Sequence, residues 1–175
     1  MQAGSSEPHT QLVFQVGTEK YIELCLVTFG LYNLFWTWAL WRSIREQGQD
    51  INPVARTLFA VIFQFSLYRR ISELASQEDI SIRWKPVRLY LLFVPFTLIP
   101  AGLATTGHPW ALFAFMLTII PNLLVNLTIN AINEKYLALY QQNTELTPMN
   151  WVALIGGLIA WLTILILAIA SHFLL

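Results

Sequence analysis

The chain has 175 residues, of which 56% are hydrophobic and 11% charged, and its ten basic and ten acidic side chains cancel at pH 7. Soluble domains carry roughly 25% charged residues, and one of this size could not hide so much apolar surface, because large exposed apolar patches drive association. The bilayer is the natural solvent for such a chain, and a zero net charge points to no nucleic-acid partner.

Residues 1–18 read as a polar N-terminal tail, the first ten of them mobile. Leu12-Val13-Phe14 within the tail is a short strand or an interfacial anchor. The tail has no positively charged n-region and is not a secretory signal peptide. Residues 19–175 read as a single all-α transmembrane domain with about four spans.

A span needs about 20 mostly apolar residues to cross ~30 Å of hydrocarbon. The first such run is 21–41, with Gly30 near its middle and an aromatic second half ending in Trp38 and Trp41 beside Arg42 and Arg45. Aromatic residues next to cations mark an interface. Asn52-Pro53 is a helix-start signal, an amide cap followed by a proline suited to the first helical position. The helix it opens, 53–75, has an apolar core of only 12 residues, Thr57 to Tyr68, between Arg56 and Arg69-Arg70. That core is well short of the hydrocarbon thickness, so the helix reads as amphipathic, re-entrant or interfacial, with a fifth span at 57–68 as the alternative. Span two is 87–105, kinked at Pro95 and Pro100. After a tight turn at Gly107-His108-Pro109, span three is 110–132, with Pro121 inside and a possible amphipathic continuation to Tyr140. Thr147-Pro148 repeats the cap-then-proline signal and opens span four, 149–170, with ten Leu and Ile between Leu154 and Ile169.

Eight of the ten cations lie between Arg42 and Arg88. The positive-inside bias places residues 42–88 in the cytoplasm. Four spans would leave both termini outside. A helical hairpin at Gly30 is the alternative to a straight first span, and would return the N-terminus to the cytoplasm.

The clearest polar constellation is Asn122, Asn126, Asn130 and Asn133, whose steps of four, four and three put them on one helix face. Amides in hydrocarbon need partners, so the stripe faces other helices or a wet cavity. Interhelical hydrogen bonding is the simpler reading and a lining for a polar pathway its rival. Asn130 and Asn133 lie near enough to the cytoplasmic end to meet water. Gly156, Gly157 and Ala160 have the small-residue spacing that lets helices approach closely, within the bundle or in a homodimer. Arg56, Arg69, Arg70, Arg83, Lys85 and Arg88 suit contact with anionic headgroups, at ~1 kcal/mol per cation near the surface. No ionisable side chain lies at mid-span, which disfavours ion-coupled transport. Cys25 is single, His9, His108 and His172 are isolated, and no nucleophile, base, phosphate loop or metal-ligand set can be assembled. These readings give no cofactor and no catalytic residue. They point to a non-enzymatic protein whose partners are lipids, itself or another membrane protein. A transporter or channel subunit with a path along spans two and three is the alternative.

Thr28-Phe29-Gly30-Leu31-Tyr32, followed by Trp36 and Trp41-Arg42, resembles the T-x-G-[IL]-Y-x-x-x-W first span of uncharacterised bacterial inner-membrane families, including the YjgN-like one. Phe14-Gln15-Val16-Gly17 is similar to the short F-x-x-G element ahead of that span. Asn130-x-x-Asn133 and Asn150-Trp151 are similar to features of related bacterial four-span proteins. The likeness covers Phe14 to Arg42 most clearly. It implies a bacterial inner-membrane location and carries no activity and no site residues.

Overall fold

The computed structural model describes residues 13–108, 110–136 and 141–174. It is helical throughout, with no strand among the described residues. The mobility expected for the first ten residues, and the helical continuation toward Tyr140, fall outside them. After an extended entry at 13–17 come α1 (Thr18–Val27), α2 (Tyr32–Glu46), α3 (Pro53–Leu58), α4 (Ala60–Gln77), α5 (Pro86–Thr105), α6 (Ala111–Phe115), α7 (Ile119–Tyr136) and α8 (Pro148–Leu174).

The cap signals are realised. Asn52 Oδ1 accepts from Ala55 N at 3.1 Å, with Pro53 opening α3. Thr147 and Asn150 cap α8 reciprocally: Asn150 Oδ1 accepts from Thr147 N at 3.0 Å and Thr147 Oγ1 accepts from Asn150 N at 3.3 Å. A 3-10 turn, Met116–Thr118, joins α6 to α7. Pro121 accounts for it, since a proline has no N–H to give the carbonyl four residues earlier and its ring crowds that carbonyl.

Among the described residues, three helices have the length and apolarity to cross a membrane: Pro86–Thr105, the rod Ala111–Lys135, and Pro148–Leu167. At 1.5 Å per residue, α5 is about 30 Å long and the rod about 37 Å, enough for the hydrocarbon layer. They match the expected second, third and fourth spans. The rod is central and α8 peripheral, for no residue of the Pro148–Leu167 window is buried. By length and composition these helices suit a helical membrane protein.

The first expected span differs. Residues 21–41 are not one helix, because α1 stops at Val27 and α2 starts at Tyr32. Phe29 (φ 53) and Gly30 (φ 82) are left-handed. Gly30 N donates back to Cys25 O at 2.7 Å, closing the end of α1 in a Schellman arrangement. The chain then reverses: Phe14 N reaches Ser43 Oγ at 3.1 Å, and the Tyr21 and Trp36 rings lie 5.4 Å apart. Two arms of ten and 15 residues are each too short to cross. A notional Cβ on Gly30 would lie 3.1 Å from Phe115 O, so the tip of the hairpin rests on α6 at the far end of the rod.

Two further expectations are corrected. Residues 13–17 are no tail: Val13, Gln15 and Val16 are buried in the core as an extended segment. The helix expected at 53–75 is broken at Phe59 into α3 and α4, neither of which qualifies as a span.

One end of the bundle collects the polar connections. Gly17 N bonds Asn143 O at 2.9 Å, and Lys135 Nζ reaches Glu78 O. The open end of the hairpin, the C-terminus of α4, the end of α7 and the loop before α8 therefore lie together. This is called the basic end below.

Candidate functional site

The asparagine stripe of α7 is the polar centre of the bundle. Asn122 is 1% exposed. Its Oδ1 accepts from Tyr68 Oη at 2.8 Å and Gln64 Nε2 at 3.0 Å, both on α4. Its Nδ2 donates to Asn33 Oδ1 on α2 at 3.4 Å. Asn33 Oδ1 also accepts from Tyr21 Oη on α1, and Asn33 Nδ2 donates to Thr118 Oγ1 at 3.1 Å. Four helices and the 3-10 turn are thus tied at one level.

One turn lower, Asn126 Oδ1 accepts from Trp36 Nε1 at 3.2 Å and its Nδ2 donates to Val16 O at 3.1 Å. Asn130 Nδ2 donates to the same carbonyl at 3.0 Å and to Thr18 Oγ1 at 3.3 Å. Asn133 Nδ2 donates to Val13 O at 3.1 Å. The extended segment has no ladder of its own, so its buried carbonyls require side-chain donors, and the stripe supplies them. Asn130 and Asn133 lie near enough to the end of the helix for water to be an alternative to partners within the bundle. Both are buried instead, because residues 13–17 lie over them.

Tyr21, Asn33, Gln64 and Tyr68 complete this network and were not singled out from the sequence. The available signal was chemical: Gln64 is the one amide in the apolar core 57–68 and Asn33 interrupts an aromatic run. A lone amide in such a setting needs a partner.

The small residues divide. A Cβ on Gly157 would overlap the Val27 carbonyl of α1, so this glycine permits close packing within the chain. Trp161, one turn on, donates Nε1 to Leu26 O at 3.3 Å and stacks on Phe29 at 4.4 Å. Gly156 faces open space, and Ala160 is half-buried.

The expected basic contacts also divide. Arg83, Lys85 and Arg88 are exposed around the start of α5. Arg69 is exposed and faces Glu73 at 3.5 Å. The Arg56 guanidinium carbon lies 4.5 Å from the Trp41 ring centroid and 5.2 Å from that of Phe63, and Arg70 is half-buried. At the start of α1, Lys20 Nζ bonds Asn143 Oδ1 at 2.7 Å and the Glu145 carbonyl. Burial lowers this ammonium below the ordinary lysine range, and the Glu145 carboxylate pulls it partly back. Among the described residues, no three His, Cys, Asp or Glu side chains come together.

Comparison of the chain with protein families, curated proteins and solved structures finds no match.

Proposed function

We propose that this protein works without catalysing a reaction, by holding membrane lipids and neighbouring helices on its surface. The observation that carries this reading is the use of the α7 stripe. Asn122, Asn126, Asn130 and Asn133 are all buried, and each is bonded to the protein's own side chains or backbone. A transport path along α5 and α7 would need such groups to meet water. What faces outward is apolar along α8 and α5, and at the basic end it includes the exposed Arg83, Lys85 and Arg88, surface chemistry that suits a protein acting by association.

The first-span likeness to YjgN-like families supports a bacterial inner membrane as its place. The positive-inside bias supports a cytoplasmic basic end that includes residues 42–88.

The test is accessibility of the stripe in proteoliposomes. In a Cys25→Ala background, Asn122→Cys and Asn126→Cys should react with a water-soluble maleimide only after denaturation, while Ser81→Cys, exposed in a connection, reacts at once. Prompt labelling of both stripe positions in the folded protein would overturn the reading in favour of a pathway.

A further inference from the structure

A cleft of about 200 Å³ opens at the basic end between α2, α3 and α4. Trp41, Gln49, Arg56, Ser66, Arg69 and Arg70 line it, with Glu73 as its one carboxylate. Glu73 faces Arg69. Among the described residues no carboxylate pairs with Arg56 or Arg70.

Two buried donors there have no acceptor. Trp41 is 2% exposed, and its indole Nε1–H bonds nothing; nor does Arg70 Nε–H. Buried donors left unmet are costly, and native proteins generally meet them. The Arg56 guanidinium lies over the Trp41 and Phe63 rings, which hold it at the cleft and take up none of its N–H donors as conventional hydrogen bonds. Three guanidinium groups face one carboxylate in this cleft, so an anion that enters relieves the remaining repulsion and offers acceptors together. Guanidinium forks suit the several oxygens of a phosphate best. The volume also decides, because sites for whole small-molecule ligands run ~300–1,000 Å³, and this one suits a headgroup.

We propose that this cleft binds a phosphate group, with Arg56, Arg70 and the Trp41 indole N–H as its donors. The inference rests on the reading of the basic end as a lipid-contacting surface, and narrows it from a general attraction to one built site. Arg83, Lys85 and Arg88, which do not line the cleft, would contribute only the diffuse field.

The test uses the full chain in phosphatidylcholine nanodiscs, with phosphatidic acid, phosphatidylglycerol or inorganic phosphate added and retention read by native mass spectrometry and thermal midpoint. Phosphatidic acid should be retained and should raise the midpoint. Arg70→Gln should weaken retention roughly tenfold or more, as loss of a charge-assisted bond implies. Trp41→Phe, which keeps the ring under Arg56 and removes only the N–H, should weaken it by about threefold or more. The pair Arg83→Gln and Lys85→Gln should change it by less than about twofold. Stabilisation by inorganic phosphate, lost with the same variants, would identify a soluble phosphate as the source; dependence on the lipid form would identify a headgroup. Equal losses from cleft and off-cleft variants would overturn the site while leaving a diffuse basic surface standing. Indifference of the unaltered protein to every phosphate probe would overturn the site outright. Failure of the stripe to stay protected from maleimide bears on the broader reading alone.

Discussion

An asparagine among apolar side chains brings two donors and an acceptor that water can no longer meet. Asn122 Oδ1 accepts from both Gln64 and Tyr68, and its Nδ2 donates to Asn33. Asn122→Leu would leave the Gln64 amide and the Tyr68 hydroxyl facing hydrocarbon, while Asn33 Oδ1 keeps the Tyr21 hydroxyl. Soluble proteins lose about 1–3 kcal/mol per orphaned buried group, whereas interhelical bonds in membranes average only ~0.6 kcal/mol because the groups find other partners. Three bonds at the membrane value give a loss of about 2 kcal/mol, readable as an earlier midpoint in an SDS titration from mixed micelles. Gln64→Leu should cost less, since it removes one bond and also removes Oε1, which is already without a partner. Equal losses would mean that Asn122 is not the hub. The spacing of the stripe was legible in the sequence because a helix face follows from a period of 3.6. Its partners were not, since Tyr21, Gln64 and Tyr68 are brought to it by a chain reversal and a helix break that no periodicity encodes.

Bilayer thickness makes long apolar helices legible at the scale of the element, and α5, the rod and α8 follow the expected bounds to within a few residues. The same length criterion admits 21–41, so apolarity alone could not separate a crossing from a hairpin. The difference lies in two backbone angles at Phe29 and Gly30. A glycine there is compatible with either outcome, and a left-handed phenylalanine is uncommon enough to escape a reading from composition. Phe29 is held in place by its stack on Trp161, so α8 helps to shape the hairpin tip. This gives the adjacent glycines of α8 opposite roles. Gly157→Leu must push α8 away from Val27, and should cost about 1–3 kcal/mol as overpacking does. Gly156→Leu points into open space and should stay within about 0.5 kcal/mol of the unaltered protein. Matching losses, measured in the same SDS titration, would mean that α8 does not dock on α1 through Gly157.

If the three long helices of the described residues cross and the hairpin does not, the charge of the chain is sorted more sharply than four crossings could sort it. Every Lys and Arg lies between Lys20 and Arg88 or at Lys135. With α1 and α2 folded back on themselves, Lys20, the 42–88 segment and Lys135 all fall at or toward the basic end. The turn after α5 and the stretch beyond Pro148 carry no cation. A straight first span would instead export Lys20 and detach residues 13–17 from Asn126, Asn130 and Asn133, leaving buried amides without their acceptors. Charge and hydrogen bonding therefore favour the same threading, and they are independent constraints. Reporter fusions distinguish the two threadings. A reporter at the N-terminus and one inserted at Ser81 should both read on one side of the membrane, while one inserted at Thr106 and one at the C-terminus should both read on the other. An N-terminal reporter on the side opposite Ser81 would sink the hairpin, and with it the account of why the asparagine stripe is buried. Moving the bias tests the cause as well: Thr105→Lys with Thr106→Lys puts cations on the turn that must be exported, and should lower the fraction of correctly threaded chains. The same pair of substitutions at Gln77 and Ser81, already at the basic end, should leave the threading unchanged.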